Sequence, residues 1–372
     1  MKRPIRILYT IPNFITAGSG RAMMNVVEGL DRDAFEPSVC VFRKGGKLDA
    51  LVESLDIPLF EARFTAPAFP RWAFPRAAWE AARPLRVRRF DLIHSFHYDS
   101  DYSEPIVARL AGAKGWVYTK KNMGWDKRWN LRSSLAAGIG AQNRDMLRTF
   151  FAPRRLARKV RLIPPSVDER RYRPDPAARA KVRARLGIPD GAFLVSCVAH
   201  LIPVKGHPTL LQAAAELPGL HVVLAGREGD ADYARGLRRQ AHDAGMAERV
   251  HFTGEIDYVP DLLAGSDAMV LPTVPRFRME GCPVAMLEAM ACGSTCVATD
   301  IPGARDVVET GRNGILVAPE DPAALIAALR ELESSPGLGE RLGREGRRTI
   351  EDGYTMEREV RQYEEMYRGI LD

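Results

Sequence analysis

Residues 280–293 read EGCPVAMLEAMACG, and the rest of the chain can be read outward from them. Pro283 stands where a first helical turn tolerates a missing amide, and Gly293 where a helix ends in a left-handed cap. The spacing predicts one short helix between them. Glu280 precedes that helix in the loop, and Glu288 lies about one and a half turns inside it. Both carboxylates can therefore approach a ligand held at the helix start. That start offers unpaired amides and the positive end of the helix dipole, which suit phosphate oxygens. Carboxylates do not bind phosphate, so beside such a site they would accept hydrogen bonds from hydroxyls on either side of it. A nucleotide sugar has this layout: ribose hydroxyls, a diphosphate, then sugar hydroxyls. The bland alternative is a capped amphipathic helix with solvated Glu side chains.

Context decides between the two. The run resembles the signature of retaining glycosyltransferases of family four, in which two Glu flank seven residues and a small-residue helix end follows. The next segment, STCVATDIPGARDVVETGRNGILVAPEDPAAL at 294–325, resembles the strand, turn and second strand of that family's nucleotide-binding domain. The resemblance implies the GT-B fold, two Rossmann-like doubly wound α/β domains facing across a cleft. The first, 1–170, would bind the acceptor and be joined by a C-terminal helix at 354–372; the second, 171–353, would bind the donor.

The composition fits that expectation. A chain of 372 residues suits two domains, and 46% hydrophobic with 27% charged residues is ordinary for a soluble protein. No run is long and apolar enough to span a bilayer. MKRPIRILYTIPNF starts basic, but Arg6 interrupts its apolar stretch, so it reads as a buried strand rather than a signal peptide. Five cysteines at scattered spacing make no disulfide framework and point to a reducing, cytoplasmic compartment. Cys282, Cys292 and Cys296 lack zinc-site spacing and read as small packing residues.

The net charge of +7 hides an asymmetry. Residues 1–190 hold 36 Lys and Arg against 19 Asp and Glu, or +17, and the remainder 18 against 28, or −10. A basic half points to an anionic partner, such as a membrane surface, a phosphorylated glycan or nucleic acid. Nucleic acid binding explains neither the Glu pair nor the acidic second half, so it is not expected. In 71–89, RWAFPRAAWEAARPLRVRR, Trp72, Phe74 and Trp79 alternate with Arg. The segment reads either as a peripheral contact with a membrane or as a surface helix with its aromatics turned to the core.

Strands are predicted at 5–10, 38–43, 91–96 and 115–119, with helical patterns between them, which argues for a parallel doubly wound sheet. Gly18 and Gly20 follow the first strand as half of a dinucleotide fingerprint, but Met23 stands at its third glycine position. Hydride transfer is accordingly disfavoured. The resemblance implies that Gly18 lets the backbone approach the donor. Ligands in such sheets bind beyond the carboxyl ends of the strands, where His94 and His97 fall. In the family two His are separated by one residue and the second touches the donor sugar. Here two residues separate them, and either could serve. Lys120, Lys121 and Asn122 are candidates for acceptor binding. Asp99 with Asp101, Asp31 with Asp33 and Asp230 with Asp232 each form an Asp-x-Asp pattern, and three occurrences make it no guide to a metal site.

VRLIPPSVD at 160–168 resembles the family's interdomain segment, with Pro165 and Ser166 replacing Asn and Gly. Beyond it, AFLVSCVAHLIPVKGHPTLLQAAAEL at 192–217 reads as strand, loop and helix. The resemblance places an Arg and, five residues on, a Lys at the diphosphate; Lys205 matches the Lys, and His200 stands where Arg is expected. It also puts Gly226, Arg227, Thr253, Glu280, Gly281, Cys282, Pro283, Val284 and Glu288 against the donor. Glu280 would orient sugar hydroxyls and Glu288 would hold the ribose. The implied activity is a retaining hexosyl transfer from a UDP- or GDP-linked sugar to a lipid or glycan acceptor of the cell envelope. Neither cofactor nor metal is expected. The rival expectation is a nucleotide-sugar-binding scaffold without turnover.

Overall fold

The computed structural model describes residues 3–15, 17–276 and 280–372. Two compact units divide the chain: Met1–Ser166 with Met356–Asp372, and Val167–Thr355. Numbered in chain order, the first holds β1 (Ile5–Thr10), β2 (Phe35–Val41), β3 (Leu59–Glu61), β4 (Leu92–Ser95), β5 (Gly115–Lys120), β6 (Gly138–Ala141) and β7 (Val160–Leu162). The second holds β8 (Phe193–Val198), β9 (Leu220–Ala225), β10 (Val250–Gly254), β11 (Ala268–Leu271), β12 (Thr295–Thr299) and β13 (Ile315–Val317). The sheets run β3-β2-β1-β4-β5-β6-β7 and β10-β9-β8-β11-β12-β13, and every pairing is parallel.

Alternation along β1 shows how the first sheet is covered. Ile7 and Tyr9 pack with Met23, Val27, Val360 and Tyr367, from helices Ala17–Gly29 and Met356–Leu371. Leu8 points the other way, toward Ala78, Leu85 and Val107 of helices Phe74–Arg86 and Ser103–Leu110. The last helix also accounts for β6, whose sequence GIGA carries little strand propensity. A Cβ on Gly138 would lie 2.8 Å from the Met366 sulfur, and one on Gly140 2.5 Å from the Tyr363 hydroxyl.

Each sheet has one place where strand order reverses, between β1 and β4 in the first and between β8 and β11 in the second. Helices leave the two central strands on opposite faces there, which opens a crevice at their carboxyl ends. Candidate site residues lie about these two places.

Candidate functional site

In the second unit three loops meet at the switch point, each held by a glycine that cannot be replaced. Gly226 ends β9 with its Cα against the exit of β8; a Cβ there would sit 2.0 Å from the Ala199 carbonyl oxygen. The backbone bond from Leu201 N to Arg227 O (2.9 Å) continues this contact and brings His200 beside Arg227. Gly206, at φ 69°, turns the chain from Lys205 into helix His207–Ala215, and a Cβ would lie 1.8 Å from the Pro272 carbonyl at the exit of β11. Gly303, at φ 84°, leaves the same kind of clearance for the Gly281 carbonyl.

On this frame the Lys205 ammonium pairs with the Glu280 carboxylate. The second carboxylate oxygen of Glu280, Oε2, is buried with no hydrogen-bond partner among the described residues. An anionic acceptor left over in this way beside a cation is suited to a hydroxyl donor. Helix Val284–Ala291 follows, with Pro283 as its N-cap rather than its first residue, so the amides of its first turn face the same loop. Gly293, at φ 75°, ends it as the sequence implies. Cys282 is buried with Sγ 4.0 Å from the Gly303 carbonyl, as a packing residue. Glu288 lies half-buried at the Tyr172 phenol, whose pKa is raised by burial and by that carboxylate. Burial, then Glu288, pushes the Cys292 thiol up to about 12, so it stays protonated. Burial, then the positive charges of Arg227 and Lys205, lowers the His200 pKa, so His200 is neutral near pH 7. Thr253 is half-buried on edge strand β10, with its hydroxyl on the Gly254 carbonyl at 3.2 Å.

The first unit's switch point is built differently. Glu104 is 1% exposed, and its carboxylate accepts from Thr10 (2.5 Å), Ser95 (2.8 Å) and Arg132 (3.0 Å). The Arg132 guanidinium is itself enclosed and lies 4.6 Å from the Trp116 ring centre. His97 follows the end of β4, with Nδ1 3.9 Å from Glu104. Sequence reasoning did not single out Glu104 or Arg132, because neither residue carries a local signal of burial.

Three of the sequence expectations are corrected here. His94 is fully enclosed, with Nδ1 on the Tyr367 hydroxyl (2.6 Å) and Nε2 on the Thr119 hydroxyl (2.9 Å). Both ring nitrogens are in use, so it holds the last helix to the sheet and is no catalytic candidate. Lys120, Lys121 and Asn122 likewise bind their own surroundings rather than presenting themselves to an acceptor. Lys120 donates to Asn122 (2.8 Å) and the Gly124 carbonyl (2.7 Å), 3.9 Å from the Trp129 ring centre, and Lys121 donates to the Phe96 carbonyl. Burial, then the charge of Arg132, lowers both lysines to about 7. Gly18 lies exposed in the first turn of helix Ala17–Gly29 with open space around it, so the expected glycine turn is a helix start.

Two parallel Rossmann-like units with ligand-side loops at both switch points are the architecture of GT-B glycosyltransferases. The Anabaena protein HepE, solved in complex with UDP and glucose, superposes with a TM-score of 0.84 at 21% identity, over 97% of this chain and 98% of that one. Residues 178–349 match the family described as glycosyl transferases group 1. The GDP-mannose-dependent alpha-(1-6)-phosphatidylinositol monomannoside mannosyltransferase of Mycolicibacterium smegmatis is 30% identical over 268 residues, 67% of this chain and 68% of that protein. The D-inositol 3-phosphate glycosyltransferase of Xylanimonas cellulosilytica is 28% identical over 325 residues, covering 85% and 73%. The chain belongs to the group 1 glycosyltransferase family.

Proposed function

We propose that this chain is a retaining, metal-independent hexosyltransferase that uses a UDP- or GDP-linked sugar and acts on a lipid-linked or glycan acceptor of the cell envelope. The observation that carries the reading is the pairing of Lys205 with Glu280 at the second switch point, with Oε2 of Glu280 buried and unused. A diphosphate arriving at the first turn of helix Val284–Ala291 takes over the Lys205 ammonium, and Glu280 is freed to accept from sugar hydroxyls. Glu288 accepts from the ribose. The acceptor oxygen bonds to the anomeric carbon on the face that the diphosphate leaves, and its proton passes to a departing phosphate oxygen. Positive charge from Lys205 and the helix amides meets the charge growing on that leaving group. The relatives support the donor class by kind, one using GDP-mannose and one binding UDP.

Mass spectrometry of a panel of nucleotide sugars with envelope lipids and glycans tests the reading. Transfer with the anomeric configuration kept, and unchanged by EDTA, is expected. Binding without transfer or hydrolysis would favour the scaffold, which His200 in place of Arg motivates. Loss of activity in EDTA, restored by magnesium or manganese, would overturn metal independence.

The acceptor side of the proposal rests on the first unit's surface. Among the described residues the large exposed apolar side chains all lie in that unit, and Phe69, Trp72, Trp79 and Val87 cluster about helix Phe74–Arg86. Trp72 is 84% exposed and Val87 82%, so these two are not turned to the core, whereas Phe74 packs against it. The helix buries Ala78, Ala81, Ala82 and Leu85 instead. With Arg71, Arg76, Arg83 and Arg86 among them, they suit the inner, anionic face of a membrane at which this peripheral enzyme meets its acceptor. No helix among the described residues is long and apolar enough to cross it. Flotation with anionic vesicles at low salt should show binding that falls when Trp72, Arg83 and Arg86 are replaced. No binding by the wild type points to an acceptor free in solution.

A further inference from the structure

We propose that Glu104 is a positioning residue that fixes the tautomer and direction of His97, so that His97 offers its Nε2 lone pair to a substrate hydroxyl and does not offer an N–H to a phosphate. The proposal rests on the reading of His97 as a substrate-facing residue. Nδ1 of His97 is buried, has no hydrogen-bond partner among the described residues, and lies 3.9 Å from a Glu104 oxygen. That gap is longer than a hydrogen bond, so the coupling is electrostatic. A nitrogen lone pair facing a carboxylate is repelled, whereas an N–H is attracted, so the neutral ring carries its proton on Nδ1. Nε2 has no partner among the described residues and is not fully buried, so it is the nitrogen that keeps access to solvent.

Glu104 cannot turn away to serve elsewhere, because Thr10, Ser95 and Arg132 hold both of its oxygens. The ring is confined in the same way, with Phe42 and Phe64 each edge-on at 6.1 Å between ring centres and the His97 amide on Ser95 Oγ at 3.2 Å. The charged groups around it are Glu104 on helix Ser103–Leu110, Arg132 on helix Lys127–Leu135, Asp99 and Asp101 on the loop between β4 and the first of these, and Lys121 after β5. Burial lowers the affinity of His97 for a proton and Glu104 opposes that, so the ring is neutral at working pH with its orientation still enforced.

The test is nitrogen-15 NMR of the full chain with labelled histidine, across a pH titration, together with steady-state kinetics. In the wild type His97 should be in the Nδ1–H form. In Glu104→Gln the tautomers should mix, the His97 pKa should fall further, and kcat/KM should drop roughly tenfold, the size of one misdirected hydrogen bond. Glu104→Asp should recover part of that loss. An Nε2–H tautomer in the wild type overturns the proposal with no variant needed, and so does a Glu104→Gln chain whose tautomer and pKa are unchanged. An Nδ1–H tautomer with a fully active His97→Ala also overturns it, through the reading of His97 and not through Glu104.

Discussion

At the end of β4 the charges of Glu104 and Arg132 are enclosed, with 1% and 0% of their side chains exposed, whereas at the end of β8 Lys205 and Glu280 keep 17% and 25% in reach of solvent. Both places are switch points of parallel sheets, and both pair a carboxylate with a cation. Thr10, Ser95 and the Asp101 carbonyl tie the enclosed pair into the sheet, with only Arg132 Nε left over in the interior, so neither of its side chains is open to a ligand directly. The half-open pair leaves a carboxylate oxygen unused, so it can exchange its partner for a ligand. Each pair leaves one buried polar atom over, so access to solvent, more than residue type, separates the two places.

That contrast can be broken by substitution. Arg132→Ala is predicted to cost about 3–5 kcal/mol of stability, because it strands the Glu104 charge in the interior. Urea unfolding measures it, and a loss below about 1 kcal/mol would mean that water reaches the pair. At the half-open pair the damage should fall on catalysis instead. Lys205→Ala and Glu280→Ala are expected to lower kcat about 100-fold with little change in the urea midpoint. Glu288→Ala should weaken donor binding about tenfold with a smaller effect on kcat. Equal losses of turnover and affinity in the two Glu variants would remove their separate roles.

Enclosure also sets a pH dependence. Burial raises the Glu359 carboxyl to about 7, against hydrogen bonds from the Ser166 amide and hydroxyl that favour its charged form. Between its usual 4.5 and about 7 the folded chain binds a proton that the unfolded chain does not, so rising pH removes stability. Glu359→Gln should therefore gain on the wild type from pH 5 to pH 8, by roughly 2–3 kcal/mol. Parallel unfolding curves at the two pH values would show that the carboxyl is charged throughout. The smallest effect is expected at His94. With its nitrogens on Tyr367 and Thr119, His94→Gln should change kcat less than about twofold while costing about 1 kcal/mol of stability.

The fold was legible because apolar runs and helical periods alternate, and the second site because Glu280 and Glu288 keep their spacing along a short stretch of chain and Lys205 keeps the family's place after β8. The first site was not, because Thr10, Ser95, Glu104 and Arg132 are brought together only by the sheet. His94 and His97 look alike in sequence, yet one is held from both sides and the other from one. Three strands escaped for local reasons: β6 is glycine-rich, and β3 and β7 are three residues each with partly exposed side chains. β2 begins at Phe35, earlier than the sequence suggests, with Pro37 inside it. Pro37 is tolerated because pairing with β3 starts only at Val39, so no neighbour asks for its missing amide on that side.

The helix Met356–Leu371 has a consequence for the order of events during synthesis. It supplies Val360, Tyr363, Met366 and Tyr367 to the core of the first unit, yet it leaves the ribosome after all of Val167–Thr355. The second unit is one unbroken segment and can complete its core while the chain is still being made. The N-terminal sheet, though translated first, waits with the glycine faces of β6 uncovered until residues 356–371 emerge. We predict that chains arrested before residue 356 show slow amide exchange across β8–β13 and fast exchange across β1–β7. Equal protection of both sheets in such a chain would show that the first closes without its final helix.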